Sequence, residues 1–161
     1  LAIRMDCSAI SNLMAERNPS IDLSQILSNT NHELDRLESD SNYKLYVAEL
    51  NNEVVGFCRF YHTSGMPPHK KIYPSPEGWY GMGIMVNSKF RRQNIARFIS
   101  LNRMSVLKKM GVEELYSIVD SNNLTSMRIH QEFGYLEVSR AEGFLHLKFN
   151  EGLGTLFKLS I

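Results

Sequence analysis

The sequence contains few cysteines and no long apolar run. Only two of its 161 residues are cysteines, Cys7 and Cys58, and neither belongs to a CxxC pair or to a cluster with histidine. This usage predicts reduced thiols in a cytoplasmic protein, without a disulfide framework or a metal site. No apolar run approaches the roughly 20 residues that a membrane span needs, and the first 30 residues lack the apolar stretch of a secretory signal. We therefore expect no membrane partner.

Acidic residues are absent from one long segment. Residues 78–112 contain seven Lys or Arg and no Asp or Glu, although the whole chain has 18 basic and 17 acidic residues and a net charge of +1. The other 126 residues therefore carry 11 basic and 17 acidic groups, a balance of −6. A local excess of this kind predicts one binding site for an anion. The seven basic residues are Lys89, Arg91, Arg92, Arg97, Arg103, Lys108 and Lys109.

Hydrophobic periodicity and the positions of glycine and proline predict an α/β (α+β) protein. We expect an edge strand over residues 1–5, two helices over 6–37 divided at Pro19, and a hairpin of strands 44–50 and 53–62 around Asn51-Asn52. A long surface loop covers 64–78 and a strand covers 79–87. The longest helix is predicted over 92–110, with Ile95, Ile99, Val106 and Met110 on its buried face. A strand over 115–119, a helix over 124–133 and strands over 135–138, 145–149 and 155–159 follow.

The strongest local pattern lies where the strand 79–87 leads into the long helix. A strand, a turn and a helix start aim several unpaired backbone N–H groups and the positive end of the helix dipole at one point. Phosphate groups bind readily at such a point. The alternative interpretation is a basic but merely solvated helix face.

This segment resembles the acyl-CoA pyrophosphate loop of the GCN5-related N-acetyltransferase (GNAT) superfamily. The family pattern is Arg/Gln-x-x-Gly-x-Gly/Ala, and residues 91–96 match it except that Asn94 replaces the first glycine. Asparagine is the non-glycine residue that best tolerates left-handed backbone angles. The resemblance implies that main-chain groups of two strand residues serve the pantetheine arm and the thioester oxygen, and that the loop binds the pyrophosphate. The implied acyl-CoA ligands are Met85, Val86, Arg91, Arg92, Gln93, Asn94, Ile95, Ala96 and Arg97.

A second segment, residues 123–135, resembles the other GNAT signature. Asn123, Ser126, Gly134 and Tyr135 fit the pattern, and His130 stands where the family usually has tyrosine. The resemblance implies that Asn123 and Ser126 contribute to acyl-CoA binding. It also implies a catalytic role for His130 as the donor to the departing thiolate, because imidazole keeps an N–H donor in either protonation state. The alternative for His130 is an ordinary histidine on a helix surface.

The two motifs together imply a GNAT-like domain over residues 1–161, with a mixed, mostly antiparallel central sheet of six to seven strands and about four flanking helices. The implied reaction is N-acetylation, in which acetyl-CoA donates an acetyl group directly to a primary amine of a small molecule or peptide in a ternary complex. Neither a metal nor nucleic acid is expected, and a homodimer is compatible with the resemblance. The general base is not assigned: the candidates are Glu77, Glu49, Glu53, Asp120 and a chain of waters.

Three other functions are compatible with these residues. The protein could use a different acyl-CoA, or it could be a non-catalytic acyl-CoA sensor, since the motifs depart from the family at Asn94 and His130. A nucleic-acid-binding module would use the basic helix 91–109. The apolar face of that helix and the −6 balance of the remaining chain disfavour this last reading.

Overall fold

The computed structural model describes residues 1–149 and 152–161. Within them, six strands form one sheet in the order β1-β2-β3-β4-β8-β5, while β6 and β7 pair with each other. The elements are α1 (Cys7–Arg17), α2 (Leu23–Ser39), β1 (Tyr43–Leu50), β2 (Glu53–His62), β3 (Trp79–Val86), α3 (Ile95–Lys109), β4 (Glu114–Asp120), α4 (Leu124–Glu132), β5 (Leu136–Ala141), β6 (Gly143–Phe144), β7 (Leu147–Lys148) and β8 (Gly154–Ser160).

The sheet confirms the predicted fold class. β3 runs parallel to β4, whereas β8 is antiparallel to both β4 and β5. Six strands and four α-helices within the described residues agree with the expected mixed, mostly antiparallel sheet and its flanking helices. The chain divides into two compact units, Leu1–Phe60 with Gly83–Val106, and Tyr61–Met82 with Leu107–Ile161.

The first unit contains α1, α2, β1 and all of β2 except its last two residues. The two predicted helices are confirmed, and the side chain of Asp22 accepts a hydrogen bond from the Ser24 N–H and so caps the start of α2. Asn51 and Asn52 have φ values of 53° and 63°, the left-handed pair that a two-residue hairpin requires. The core of this unit includes Ile10, Leu13, Ile26, Leu34, Leu45, Val55 and Phe57.

Two predictions for the first unit are wrong. Residues 1–5 do not form a strand: the N–H of Ala2 donates to the carbonyl of Leu45, but the chain then enters a 3-10 turn, Arg4–Asp6. The Asp6 carboxylate accepts from the N–H of Ile3 at 2.8 Å, which satisfies the start of that turn and ends the extended run. The predicted "longest" helix is also shorter than expected, because α3 has 15 residues and α2 has 17.

The buried face of α3 differs from the prediction as well. Ile99, Ser100, Arg103 and Leu107 are buried, whereas Met110 is exposed. The prediction holds for Ile99, whereas Ile95 and Val106 are half-buried and Met110 lies one residue beyond the end of α3. Position 103 follows the same helical spacing, so an arginine occupies a core-facing position.

The second unit is organised around β4 and β8. Seven residue pairs join these strands, from Glu114 opposite Ser160 to Asp120 opposite Gly154. The segment 64–78 is a long loop, as predicted, and it contains the 3-10 turn Pro68–Lys70. Only residues 147–148 of the predicted strand 145–149 form a strand, β7, because Leu145 has a left-handed φ of 53° that interrupts the run; β7 pairs with β6, which lies before the predicted strand. The core here includes Leu115, Val119, Met127, Leu156, Phe157 and Leu159.

Candidate functional site

In the first unit, the end of β3 is fixed by hydrogen bonds on both sides of Asn87. Its backbone N–H donates to the carbonyl of Val55 on β2 at 2.9 Å. Its side-chain oxygen accepts from the N–H of Lys89 at 3.0 Å and starts the 3-10 turn Ser88–Phe90. The chain therefore leaves β3 through a turn that the Asn87 side chain caps.

The turn reaches α3 through two left-handed residues. Arg92 has a φ of 60° and Asn94 a φ of 61°, and α3 then begins at Ile95. The first helical hydrogen bond after this turn runs from the N–H of Phe98 to the carbonyl of Asn94 at 2.9 Å. The N–H groups of the first helical turn have no acceptor within the helix, and Ala96 is exposed there with only a methyl group to cover them. This geometry fits a diphosphate, which needs several N–H donors and open access.

A carboxylate that the sequence did not single out lies beside this turn. The N–H of Ser88 donates to Glu16 on α1, with distances of 3.1 and 3.4 Å to the two carboxylate oxygens. The same carboxylate lies 3.7 Å from the guanidinium of Arg91, whose Nε donates to the carbonyl of Val86 at 3.3 Å. Glu16 stands 72 positions before Ser88, so no local pattern could have revealed the contact. Part of the positive charge is thus balanced within the unit.

The backbone of β3 lies unusually close to Gly56 on β2. A Cβ placed on Gly56 would stand 2.6 Å from the carbonyl oxygen of Met85 and 3.1 Å from Cδ1 of Ile99. Only a residue without a side chain allows this approach. Gly56 therefore sets the position of the main-chain groups at Met85 and Val86.

A cavity of about 370 Å³ lies in the same unit. Its polar lining comes from α1, the start of β2 and the turn after β3. Glu53, one of the candidate bases, contributes to it, while Glu49, Glu77 and Asp120 are exposed elsewhere. The lining comprises Ala9, Asn12, Leu13, Glu16, Glu53, Val54, Asn87, Ser88 and Lys89.

In the second unit, the motif on α4 forms a compact polar network. The side-chain oxygen of Asn123 accepts from the N–H of Ser126 at 3.0 Å and caps the helix. His130 lies one turn further along, and its Nδ1 is 2.7 Å from the carbonyl oxygen of Ser126 and 3.5 Å from the Ser126 hydroxyl. The spacing of Asn123, Ser126 and His130 thus has a structural basis in this helix.

Sequence reasoning missed the other partner of His130. The Nε2 atom lies 2.8 Å from the hydroxyl of Ser117 on β4, a side chain that is only 6% exposed. The imidazole stacks on Phe157 at 5.3 Å and meets the edge of Tyr135 at 4.9 Å between ring centroids. Alternation along β4 would have placed Ser117 on the buried side with Leu115 and Val119, and a serine between apolar residues was the available signal.

The predicted ligands thus fall into two groups. The structure brings Met85, Val86 and the residues from Arg91 to Arg97 together in the first unit. It brings Asn123, Ser126 and His130 together in the second. Residues 1–149 and 152–161 contain no cluster of three His, Cys, Asp or Glu side chains that could hold a metal ion. No helix in this described part of the chain is long and apolar enough to cross a membrane.

The strand, the left-handed turn, the helix start and the sheet order are the features that the two sequence motifs predicted. Residues 9–135 match the model of the acetyltransferase (GNAT) family. The chain belongs to the GNAT family. No curated protein matches its sequence.

Solved structures of similar fold are distant in sequence. Ribosomal-protein-alanine N-acetyltransferase from Brucella melitensis has a TM-score of 0.72 at 17% identity, covering 99% of this chain and 97% of that one. The Salmonella typhimurium protein yncA, solved with its cofactor acetyl-CoA, has a TM-score of 0.68 at 18% identity, with coverages of 99% and 90%. The aminoglycoside N-acetyltransferase AAC(6')-Iy in complex with CoA has a TM-score of 0.70 at 17% identity, with coverages of 89% and 90%. These likenesses agree with the fold of this chain.

Proposed function

We propose that this protein is an N-acetyltransferase that moves an acetyl group from acetyl-CoA to a primary amine of a small molecule or peptide. Transfer is direct, within a ternary complex formed by one functional domain over residues 1–161. The observation that carries the proposal is the left-handed pair Arg92 and Asn94, with φ values of 60° and 61°, immediately before the start of α3. This pair lets a non-glycine turn present the N–H groups of the helix start to a diphosphate.

The proposed acyl-CoA ligands on this side are the residues implied by the family motif. Arg91, Arg92 and Arg97 supply charge, while the backbone from Gln93 to Ala96 supplies N–H donors. Met85 and Val86 offer main-chain groups to the pantetheine arm and to the thioester oxygen. A donor already in place at that oxygen stabilises the charge that develops as the acceptor attacks.

The acceptor amine must lose a proton before it attacks, since an alkyl ammonium has a pKa near 10.4. Glu77, Glu49, Glu53 and Asp120 stay open as the base, together with a chain of waters. On the other side of the reaction, we propose that His130 is the source of the proton for the departing thiolate. Asn123 and Ser126 position this histidine in addition to their proposed contribution to acyl-CoA binding.

Three features support this proposal over its alternatives. Asn94 has a left-handed φ of 61°, a conformation that glycine adopts readily, so asparagine in place of the motif's first glycine is compatible with the turn. Arg103 is only 6% exposed, which removes one of the cations that a nucleic-acid interface along α3 would need. Two of the structural neighbours are named for N-acetylation of amines, an aminoglycoside and an alanine of a ribosomal protein.

Binding is tested by titration calorimetry of the full chain with acetyl-CoA. Arg92→Ala should weaken binding about tenfold, because a hydrogen bond to a charged group contributes roughly 1.5–3 kcal/mol when formed and exposure reduces this. The matched control is Arg128→Ala, which removes an exposed arginine paired with Glu132 on α4 and should leave the affinity unchanged. Equal affinities of the two variants would contradict the assigned loop.

Activity is tested by thiol release from acetyl-CoA over a panel of polyamines, aminoglycosides, amino acids and peptides with free N-termini. Transfer to one of these amines, identified by the mass of the acetylated product, supports the proposal. Tight binding of acetyl-CoA without thiol release for any amine would identify a sensor instead. Release from a different acyl-CoA in preference to acetyl-CoA would correct the donor.

The role of His130 is tested by separating turnover from binding. His130→Ala should lower kcat more than it raises the KM for acetyl-CoA, because the proton is needed only as the C–S bond breaks. Unchanged turnover in this variant would remove the proposed role.

A further inference from the structure

The hydrogen bonds of His130 fix which of its nitrogens can exchange a proton. Nδ1 lies 2.7 Å from the carbonyl oxygen of Ser126. A carbonyl oxygen accepts hydrogen bonds and cannot donate them, so Nδ1 carries a hydrogen whether the ring is neutral or charged. Any proton that His130 gains or loses therefore belongs to Nε2.

The imidazole is also held in this orientation by its ring contacts. It stacks on Phe157 with an angle of 22° between the ring planes, and Tyr135 meets its edge at 62°. These contacts come from different elements of the second unit, since Phe157 lies on β8 and Tyr135 follows α4. Tilting the ring plane would break both contacts, and a half-turn within the plane would break the bond from Nδ1 to Ser126, so Nε2 stays aimed at Ser117.

The hydroxyl of Ser117 is the partner of Nε2, at 2.8 Å. When His130 is neutral, Nε2 accepts from the Ser117 hydroxyl. When His130 is charged, Nε2–H donates to Oγ, and the hydroxyl hydrogen becomes available to another acceptor. The nearly buried Ser117 hydroxyl thus donates to the imidazole when His130 is neutral and donates to a different acceptor when His130 is charged.

The residue opposite Ser117 in the sheet carries no side chain. In the parallel pairing of β3 with β4, Ser117 stands opposite Gly81. Gly81 has no side chain at the neighbouring position, and an interior glycine in a strand marks a bulge, a tight bend, or the close approach of a ligand or another backbone. Both residues lie within the second unit.

We propose that Ser117 is a catalytic residue that hands the proton of His130 to the departing CoA thiolate, and that His130 acts through it. The acceptor nitrogen attacks the thioester carbon, the C–S bond breaks, and its electron pair leaves on sulfur. Sulfur takes the hydrogen of the Ser117 hydroxyl, and Oγ takes the proton from Nε2 of the charged His130. Neutral His130 remains, with its hydrogen on Nδ1, and the proton lost by the acceptor nitrogen restores the charged ring through solvent. This inference rests on the proposed function.

The test uses CoA itself, so that it needs no identified acceptor. The full chain is saturated with CoA, and the absorbance of the thiolate is followed as the pH is raised. A hydrogen bond from Ser117 stabilises the thiolate, so Ser117→Ala should raise the pKa of the bound thiol by about one pH unit. The matched control is Ser121→Ala, which removes a hydroxyl bonded to Thr155 at 2.8 Å and should leave the thiol titration unchanged.

A second pair of variants keeps the test decisive if the alanine variant does not fold. Ser117→Thr and Ser117→Val have the same shape and both suit a strand, but only threonine has the hydroxyl. Threonine should preserve the titration of the bound thiol, and valine should shift it as alanine does. Identical titrations of the two would overturn the inference, as would a Ser117→Ala complex that titrates like the wild type.

The outcomes also separate this inference from the function on which it rests. If calorimetry shows that the wild-type chain does not bind CoA, the proposed function fails and the relay fails with it. If CoA binds but its thiol titrates independently of the residue at 117, only the relay is wrong. A nitrogen NMR spectrum in which Nε2 of His130, rather than Nδ1, keeps its hydrogen in the neutral ring would also contradict the relay.

Discussion

Gly56 offers a direct test of how the first unit positions the end of β3. Replacement by alanine would place a Cβ 2.6 Å from the carbonyl oxygen of Met85, whereas ordinary van der Waals contacts begin at 3.4 Å. The obstacle is backbone, so it cannot rotate aside as a side chain can. A second contact, 3.1 Å from Cδ1 of Ile99, adds to the crowding around this position. Gly56→Ala must therefore separate the two strands by several tenths of an ångström.

Two opposing effects set the magnitude. Overpacking of this kind costs about 1–3 kcal/mol, while replacing a strand glycine by alanine recovers roughly 0.5–1 kcal/mol of conformational entropy. The net expectation is a loss of about 1–2 kcal/mol in the free energy of unfolding. For a chain of this size, that corresponds to a decrease of roughly 2–8 °C in Tm.

The matched comparison is Gly83→Ala on β3. Its Cβ would meet only Nη1 of Arg17, at 3.2 Å, which is the end of a flexible side chain. This variant should therefore be at least as stable as the wild type, with a gain of up to about 1 kcal/mol. Urea unfolding of both variants measures the difference, and calorimetry with acetyl-CoA should show weaker binding for Gly56→Ala, since Met85 moves with the strand. A Gly56→Ala variant as stable as Gly83→Ala would refute the argument that close strand approach requires glycine at 56.

Three further predictions concern the turn after β3 and the charge of a histidine. Asn94→Gly should keep the affinity for acetyl-CoA within about twofold. Asn94→Ala should lower the free energy of unfolding by about 1 kcal/mol, because the φ of 61° is left-handed. Equal urea midpoints for the two variants would show that the turn tolerates any residue. Glu16→Gln should raise the affinity for acetyl-CoA by up to about fivefold at low salt, because the carboxylate 3.7 Å from Arg91 no longer competes with phosphate. Calorimetry at two ionic strengths measures this change. An unchanged affinity would contradict competition between Glu16 and phosphate for Arg91. Desolvation, with a contribution from the charge of Lys70, lowers the pKa of His146 below 6.5. The unfolded chain then binds a proton at this histidine more readily than the folded chain, so the contribution of His146 to stability should be complete above about pH 6.5 and decline below it. A series of melting curves over pH should lose this pH-dependent part of the stability in His146→Gln.

Features encoded by neighbouring residues were predictable. The division between α1 and α2 follows from Pro19, which cannot continue a helix. The hairpin follows from Asn51-Asn52, because both residues tolerate the left-handed angles that they adopt. In each case the residue type itself restricts the backbone, so the pattern could be read without knowledge of the rest of the fold.

Features that depend on distant contacts were not predictable in the same way. α3 begins three residues later than expected because Arg92 is left-handed, a conformation that its residue type does not announce. Arg103 counts as a surface charge in any charge profile, yet the fold buries it on the covered face of α3. Ser117 and His130 were 13 positions apart without a shared motif, and only the packing of α4 on β4 unites them.

The burial of Arg103 and the pairing of Arg91 with Glu16 change the interpretation of the basic segment, residues 78–112. Arg103 faces the core, and Arg91 shares its charge with Glu16, so the seven cations are not equally available to a ligand. What singles out the turn is the backbone: two left-handed residues bring the chain to α3 so that helix N–H groups are presented beside exposed Ala96. Backbone donors hold a fixed geometry and do not depend on a long side chain, which costs entropy to order. In the proposed function, the positive charge would therefore attract an anion to this end of β3, and the left-handed turn would favour a compact diphosphate over an extended polyanion.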